Sequence, residues 1–173
     1  MTGDVKHQPN AGSPTSVGGG SLAILIFPSL YFLWIARGWI REGLLEEKMR
    51  IREKFIQLVG VEDGERILDV GTGSGFLAIG FAKKMRSGGV VGIDVWMPLG
   101  GGTSMRNAIR NAEIEGVSDN VTFKVADSRR IPYPNDYFDR VLASFVFHII
   151  RGWERAIGEM MHVLKPGGVF AVL

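Results

Sequence analysis

Residues 67–76 read Ile67-Leu68-Asp69-Val70-Gly71-Thr72-Gly73-Ser74-Gly75-Phe76: a short apolar run, a glycine-rich turn and the opening of a helical pattern. Gly71 and Gly73 can take positive φ and let a ligand approach the backbone, and Gly75 lets the next helix pack close to the strand. A dinucleotide fingerprint would require Gly-x-Gly-x-x-Gly, so that a pyrophosphate rests on the helix N-terminus, but Phe76 stands where its last glycine would be. The spacing therefore disfavours a nicotinamide cofactor. Asp69 sets a carboxylate directly before the turn, a poor neighbour for a pyrophosphate and a good one for an ammonium group, which points to an amino-acid moiety.

Outward from this turn, strands expected at 67–70, 90–95, 121–126, 138–145 and 169–173 alternate with helices expected at 76–85, 104–115 and 153–164. Strands rich in Val and Ile and separated by helices indicate a parallel sheet covered on both faces. Ligands of such sheets bind at the C-terminal strand ends, where the strand order reverses. The second strand, Val90-Val91-Gly92-Ile93-Asp94, ends in an acid about 25 residues after Asp69, and a carboxylate there can accept hydrogen bonds from both hydroxyls of a ribose. The third is followed by Ala126-Asp127-Ser128, which brings another acid to the far side of the same pocket.

The N-terminal part is of a different kind. Residues 1–21 are Gly, Ser, Pro and polar residues without an apolar period, too few apolar groups to offset the entropy of ordering, and read as a flexible tail. Leu22 to Ala36 (LAILIFPSLYFLWIA) is the most apolar stretch, with no charge between Lys6 and Arg37. As a helix it would be roughly 22 Å long, short of the ~30 Å of a bilayer core. Pro28, the aromatic residues Tyr31, Trp34 and Trp39, and the basic residues from Arg37 onward suit a membrane anchor or in-plane insertion with the following domain on the cytoplasmic side. The alternative is a segment that packs over the domain as a lid or enters an oligomer interface. The boundaries expected are 1–21 tail, 22–40 apolar segment and 41–173 ligand-binding domain. Arg41 to Val59 reads as an amphipathic helix, with Leu44, Leu45, Met49, Ile51, Phe55, Ile56 and Val59 as its buried stripe.

Composition bounds the rest. A length of 173 residues suits one α/β domain. A net charge of +2 and a pI near 9.0 are too mild for a nucleic-acid binder. The absence of cysteine excludes disulfides, thiolate metal sites and a thiol nucleophile, and fits a reducing, cytoplasmic compartment.

Taken in order, these motifs resemble the class I S-adenosylmethionine-dependent methyltransferases, in the broad subgroup of small-molecule and quinone enzymes. The likeness runs from about Glu65 to Leu173 and includes Ile131-Pro132-Tyr133-Pro134, Tyr137-Phe138-Asp139-Arg140-Val141 and Val163-Leu164-Lys165-Pro166-Gly167-Gly168. It implies an α/β, Rossmann-like parallel sheet flanked by helices, with an apolar N-terminal helix added. It also implies S-adenosyl-L-methionine as cofactor and a small or lipid-like methyl acceptor. Asp69, Gly71, Thr72, Gly73 and Gly75 would hold the methionine end. Asp94 and Val95 would meet the ribose, and Asp127 and Ser128 the adenine.

His148, in Ser144-Phe145-Val146-Phe147-His148, lies where the family often places substrate-facing residues and is the candidate base, with a packing role as its alternative. His162 reads as a surface or packing residue, and no metal is implied. The family usually adds a sixth and a seventh strand as an edge hairpin, whereas this sequence stops at the fifth strand; the readings open are a fragment of a longer protein, a natural short form, or an edge paired in a homodimer. A catalytically silent, membrane-tethered cofactor-binding module is the competing reading; an NAD-dependent oxidoreductase is a weaker one, for want of the third dinucleotide glycine.

Overall fold

A computed structural model describes residues 43–96, 103–144 and 152–173. The chain divides into two compact units, Met1–Glu46 and Glu47–Leu173; the described residues belong to the second, apart from the first turn of the helix that enters it. The expected anchor at 22–36 and the candidate base His148 lie outside the described residues. Among the described residues no helix is long and apolar enough to cross a membrane.

A helix over residues 43–59 (α1) leads into strand Arg66–Val70 (β1), helix Phe76–Ala82 (α2), strand Gly89–Asp94 (β2) and helix Met105–Ile114 (α3). Strands Val121–Val125 (β3) and Phe138–Ala143 (β4), helix Trp153–Val163 (α4) and strand Leu164–Val172 (β5) complete it. The strands form one sheet in the order β3-β2-β1-β4-β5, every pair parallel. The order reverses between β1 and β4, so the crevice at the C-terminal ends of β1, β2 and β4 is the expected ligand position.

Both faces of the sheet are buried, which explains the nearly continuous apolar strands. Ile67, Val90, Phe123 and Leu142 pack on one face with Phe55 and Ile56 of α1, with Leu77 and Phe81 of α2, and with Ala108 and Ala112 of α3. Leu68, Val70, Ile93 and Val141 pack on the other with Ala156, Met160 and Val163 of α4. Side chains alternate along a strand, so Asp69 shares the face of Ile67 and lies under α2.

Two expectations need correction. Leu44, Leu45 and Ile51 of the apolar stripe are exposed, and α1 buries only its C-terminal half, where Arg52 is also buried. The helix is fastened there by Arg140, whose Nη1 donates to the Val59 carbonyl at 2.7 Å while its Nε and Nη2 hold Glu65 at 2.7 and 2.8 Å. The Lys165-Pro166-Gly167-Gly168 turn does not precede the fifth strand but interrupts it. Leu164 already pairs with Phe138, and Val169 with Arg140, so four residues bulge against Asp139 alone. Gly167 supplies the φ of 76° that the bulge requires, and a Cβ on Gly168 would meet the Asp139 carbonyl at 2.8 Å.

Candidate functional site

The crevice is built on the turn after β1. Gly71, Gly73 and Gly75 have φ of 74°, 56° and 83°, the left-handed region that glycine enters without a Cβ penalty. The amides of Gly71 and Thr72 both donate to the Ile93 carbonyl, at 2.8 and 3.1 Å, which ties the turn to the end of β2. From α3, the Asn111 side-chain amide donates to the Ser74 carbonyl at 3.0 Å. Gly75 is required twice over, because a Cβ there would also lie 2.8 Å from the Phe123 ring.

Asp69 is only 1% exposed, since its place on the strand aims it under α2 and not into open solvent. One carboxylate oxygen accepts from the Thr72 hydroxyl at 2.8 Å and from the Ala78 amide at 3.1 Å. The other is buried without a hydrogen-bond partner. Burial pushes the Asp69 pKa up to about 7, against the pull of the two hydrogen bonds and with a smaller contribution from nearby Asp94. A buried, half-satisfied carboxylate of this kind is costly in isolation and is relieved by a cationic partner.

Asp94 stands where the sequence placed it, at the end of β2, but is already engaged by its own chain. Its two oxygens accept from the amides of Gly73 and Trp96, each at 2.9 Å. The Trp96 indole N–H in turn donates to the Gly73 carbonyl at 2.8 Å. These bonds close a ring that locks the glycine turn to the loop after β2. Trp96 holds a φ of 39°, left-handed for a bulky residue, a strain of order 1–2 kcal/mol. An ionised carboxylate has about four acceptor positions, so each Asp94 oxygen keeps one for a ribose hydroxyl. Val95 beside it is 48% exposed.

The loop after β3 joins the same crevice through the Ala126 amide, which donates to the Asp94 carbonyl at 3.0 Å. Asp127 is not a free acceptor here. Its carboxylate is gripped by the guanidinium of Arg129, with contacts of 2.6–3.1 Å, and accepts from the Arg129 amide at 2.9 Å. These bonds hold its pKa down to about 2. Arg129, Arg130, Arg155 and Gly152 line with it a cavity of about 370 Å³, beside the glycine turn's crevice rather than in it. Ser128 is half-buried next to Asp127. His162 lies exposed in α4, its Nδ1 2.9 Å from the Gly158 carbonyl.

The structure thus gathers Asp69, Thr72, the three glycines and Asp94, with Asp127 and Ser128 at the rim. Sequence reasoning missed Trp96, Asn111 and Arg52. An aromatic residue two positions after the acid of β2 was a usable signal for Trp96, and a cation inside the apolar stripe of α1 was one for Arg52.

An ammonium-bearing adenosyl ligand fits these residues on one observation above all: the buried Asp69 oxygen that no protein group satisfies. Residues 67–168 match the family described as a methyltransferase domain. The ubiquinone/menaquinone biosynthesis C-methyltransferase UbiE of Pseudomonas paraeruginosa is 37% identical over 127 residues, 72% of this chain and 47% of that protein. The demethylmenaquinone methyltransferase of Thermus thermophilus is 35% identical over 125 residues, 72% of this chain and 54% of that one. The chain therefore spans about half the length of the curated relatives it matches. A solved SAM dependent methyltransferase from Aquifex aeolicus superposes with a TM-score of 0.57 at 28% identity, covering 66% of this chain and 58% of its own. The chain belongs to the methyltransferase-domain family and shares the fold of the class I, S-adenosylmethionine-dependent enzymes.

Proposed function

We propose that this chain binds S-adenosylmethionine in the crevice between the glycine turn and the end of β2, and transfers its methyl group to a small lipophilic acceptor of the quinone type. The observation that carries the cofactor is the convergence of the half-satisfied Asp69 carboxylate, the left-handed glycine turn and Asp94. The acceptor class rests on the quinone C-methyltransferases among the relatives. When bound, the cofactor supplies a methyl group already activated on a sulfonium, so the protein's task is chiefly alignment.

Asp69 would take the ammonium group, with Thr72 and the Ala78 amide fixing the carboxylate's orientation. Asp94 would take the ribose hydroxyls on its remaining acceptor positions. Val95 and Ser128 would flank the adenosine, and Asp127 would reach the adenine amino group on giving up part of its contact with Arg129. His148 is the base we assign to an acceptor that must lose a proton. The apolar stretch 22–36 would keep the enzyme at a membrane surface on the cytoplasmic side, where a lipophilic acceptor is concentrated.

The test is calorimetric titration of the full chain with S-adenosylmethionine, S-adenosylhomocysteine and NAD, followed by transfer of label from methyl-labelled cofactor into quinol and lipid extracts. Binding of both adenosyl ligands and not NAD, weakened by Asp94→Ala, supports the cofactor site. Label in a quinol fraction supports the acceptor, while binding with persistent absence of transfer refutes the enzymatic reading.

A further inference from the structure

The loop after β3 and the first turn of α4 bring three arginines, Arg129, Arg130 and Arg155, to one cavity of about 370 Å³. The Arg130 amide donates to the Asp127 carbonyl at 2.9 Å, closing the turn that carries Arg129 and Arg130. Asp127 is the one carboxylate lining the cavity, and Arg129 already grips it at 2.6–3.1 Å. Arg155 acts on Asp127 only through space, the smallest of the influences on that carboxyl. Among the described residues neither the Arg130 nor the Arg155 guanidinium is ion-paired. Gly152 begins α4 with a φ of 75°, and no side chain caps that helix end. The Arg129 stem lies across it, since a Cβ on Gly152 would stand 3.9 Å from Arg129 Cδ.

The cavity therefore gathers like charges. Asp127 offsets one cation, which leaves a net charge of two positive units among the lining residues, and the uncapped amides of the α4 N-terminus add a partial charge of the same sign. Glu154, in the same first turn, does not line the cavity. Cations held together in this way repel one another until an anion joins them. Guanidinium groups match the oxygens of phosphate with paired N–H bonds, and a helix N-terminus favours the same ligand. A phosphate monoester carries about −1.5 to −2 near neutral pH, close to the charge the cavity lacks, whereas a carboxylate or a phosphodiester brings only one unit. The volume falls within the ~300–1,000 Å³ of ligand pockets, with room for part of the molecule that bears the phosphate.

We propose that this cavity binds a phosphate monoester group, carried by a lipid headgroup or by a soluble phosphorylated molecule. The site adjoins the adenosyl crevice but is separate from it, and does not rest on the cofactor reading. Arg130 and Arg155 supply the principal donors, and the phosphate fixes its bearer beside the crevice.

The experiment is titration of the full chain with phenyl phosphate, with dimethyl phosphate as the monoanionic comparison, and with phosphatidylcholine vesicles that contain or lack phosphatidate. Arg130→Gln and Arg155→Gln, both at exposed residues, are measured beside Arg86→Gln, a control whose side chain is 93% exposed and which precedes β2 at the opposite end of the sheet. The wild type is expected to bind phenyl phosphate in preference to dimethyl phosphate. Arg130→Gln and Arg155→Gln each weaken it by about fivefold, the upper end for an exposed charge pair, and Arg86→Gln leaves it unchanged. Binding that requires phosphatidate and is lost in the two cavity variants identifies the lipid source; phenyl phosphate binding without any effect of phosphatidate identifies the soluble one. A wild type that binds neither phenyl phosphate nor phosphatidate vesicles would overturn the site. Equal affinity for the two soluble phosphates, or equal weakening by Arg86→Gln, would show only a diffuse positive surface and overturn it as well. Competition between phenyl phosphate and S-adenosylhomocysteine would put the anion in the adenosyl crevice, with the same consequence.

Discussion

Replacing Asp69 with asparagine removes a proton-binding group whose affinity changes on folding, and the consequence can be worked out in sign and size. In the folded chain burial raises the Asp69 pKa from 3.8 to about 7. Between those values the folded state holds a proton that the unfolded state has released, so stability falls as pH rises, by about 1.4 kcal/mol per pH unit at the steepest. Integrated from pH 5 to pH 8, Asp69 alone lowers stability by roughly 2.5 kcal/mol. The carboxylates pulled the other way, Asp127 to about 2 and Glu53, Asp63 and Asp139 below their usual values, are ionised in both states over most of that window and contribute little slope. Urea unfolding of the wild type and Asp69→Asn at pH 5, 6, 7 and 8 isolates the term, because every other titrating group cancels in the difference. Asparagine can still accept from Thr72 and Ala78, so the variant should gain on the wild type by about 2.5 kcal/mol across the series. Parallel stability curves would refute the burial argument. A cationic ligand beside Asp69 favours its ionised form, so cofactor affinity should also tighten as pH rises through about 7, and should lose this dependence in the variant.

Three other substitutions probe the geometry of the site and its supports. Trp96→Phe keeps the ring and removes the indole N–H that binds the Gly73 carbonyl, so the turn loses about 1 kcal/mol of bracing and cofactor Kd rises about fivefold in titration. Arg140→Met leaves Glu65, only 16% exposed at its side chain, without its partner and frees the last carbonyl of α1, and should cost about 3 kcal/mol in urea unfolding. Gly92→Ala places a Cβ 2.7 Å from Thr72 Oγ1 and 2.8 Å from Phe123, and should destabilise by about 1–3 kcal/mol, while disturbing the Thr72 hydroxyl that orients Asp69.

What the sequence determined alone was whatever is written in local periodicity and turn chemistry. The β-branched runs, the Gly71-Gly73-Gly75 spacing and the acid at Asp94 are short-range signals, and the helix expected at 104–115 forms over Met105–Ile114, one residue shorter at each end, with Ser104 as its cap accepting from the Asn107 amide. Where the reading failed, the deciding contact was distant. The exposure of Leu44, Leu45 and Ile51 does not follow from the amphipathic pattern of α1. The bulge at Lys165–Gly168 is set by pairing to Asp139, 26 residues away from Lys165. The state of each acid in the site was likewise beyond a one-dimensional reading. Asp69 is half-satisfied, Asp94 is shared with Gly73 and Trp96, and Asp127 is gripped by Arg129. Desolvation and hydrogen-bond partnership depend on three-dimensional neighbours, and so only the tertiary structure decided which of these carboxylates is short of a partner.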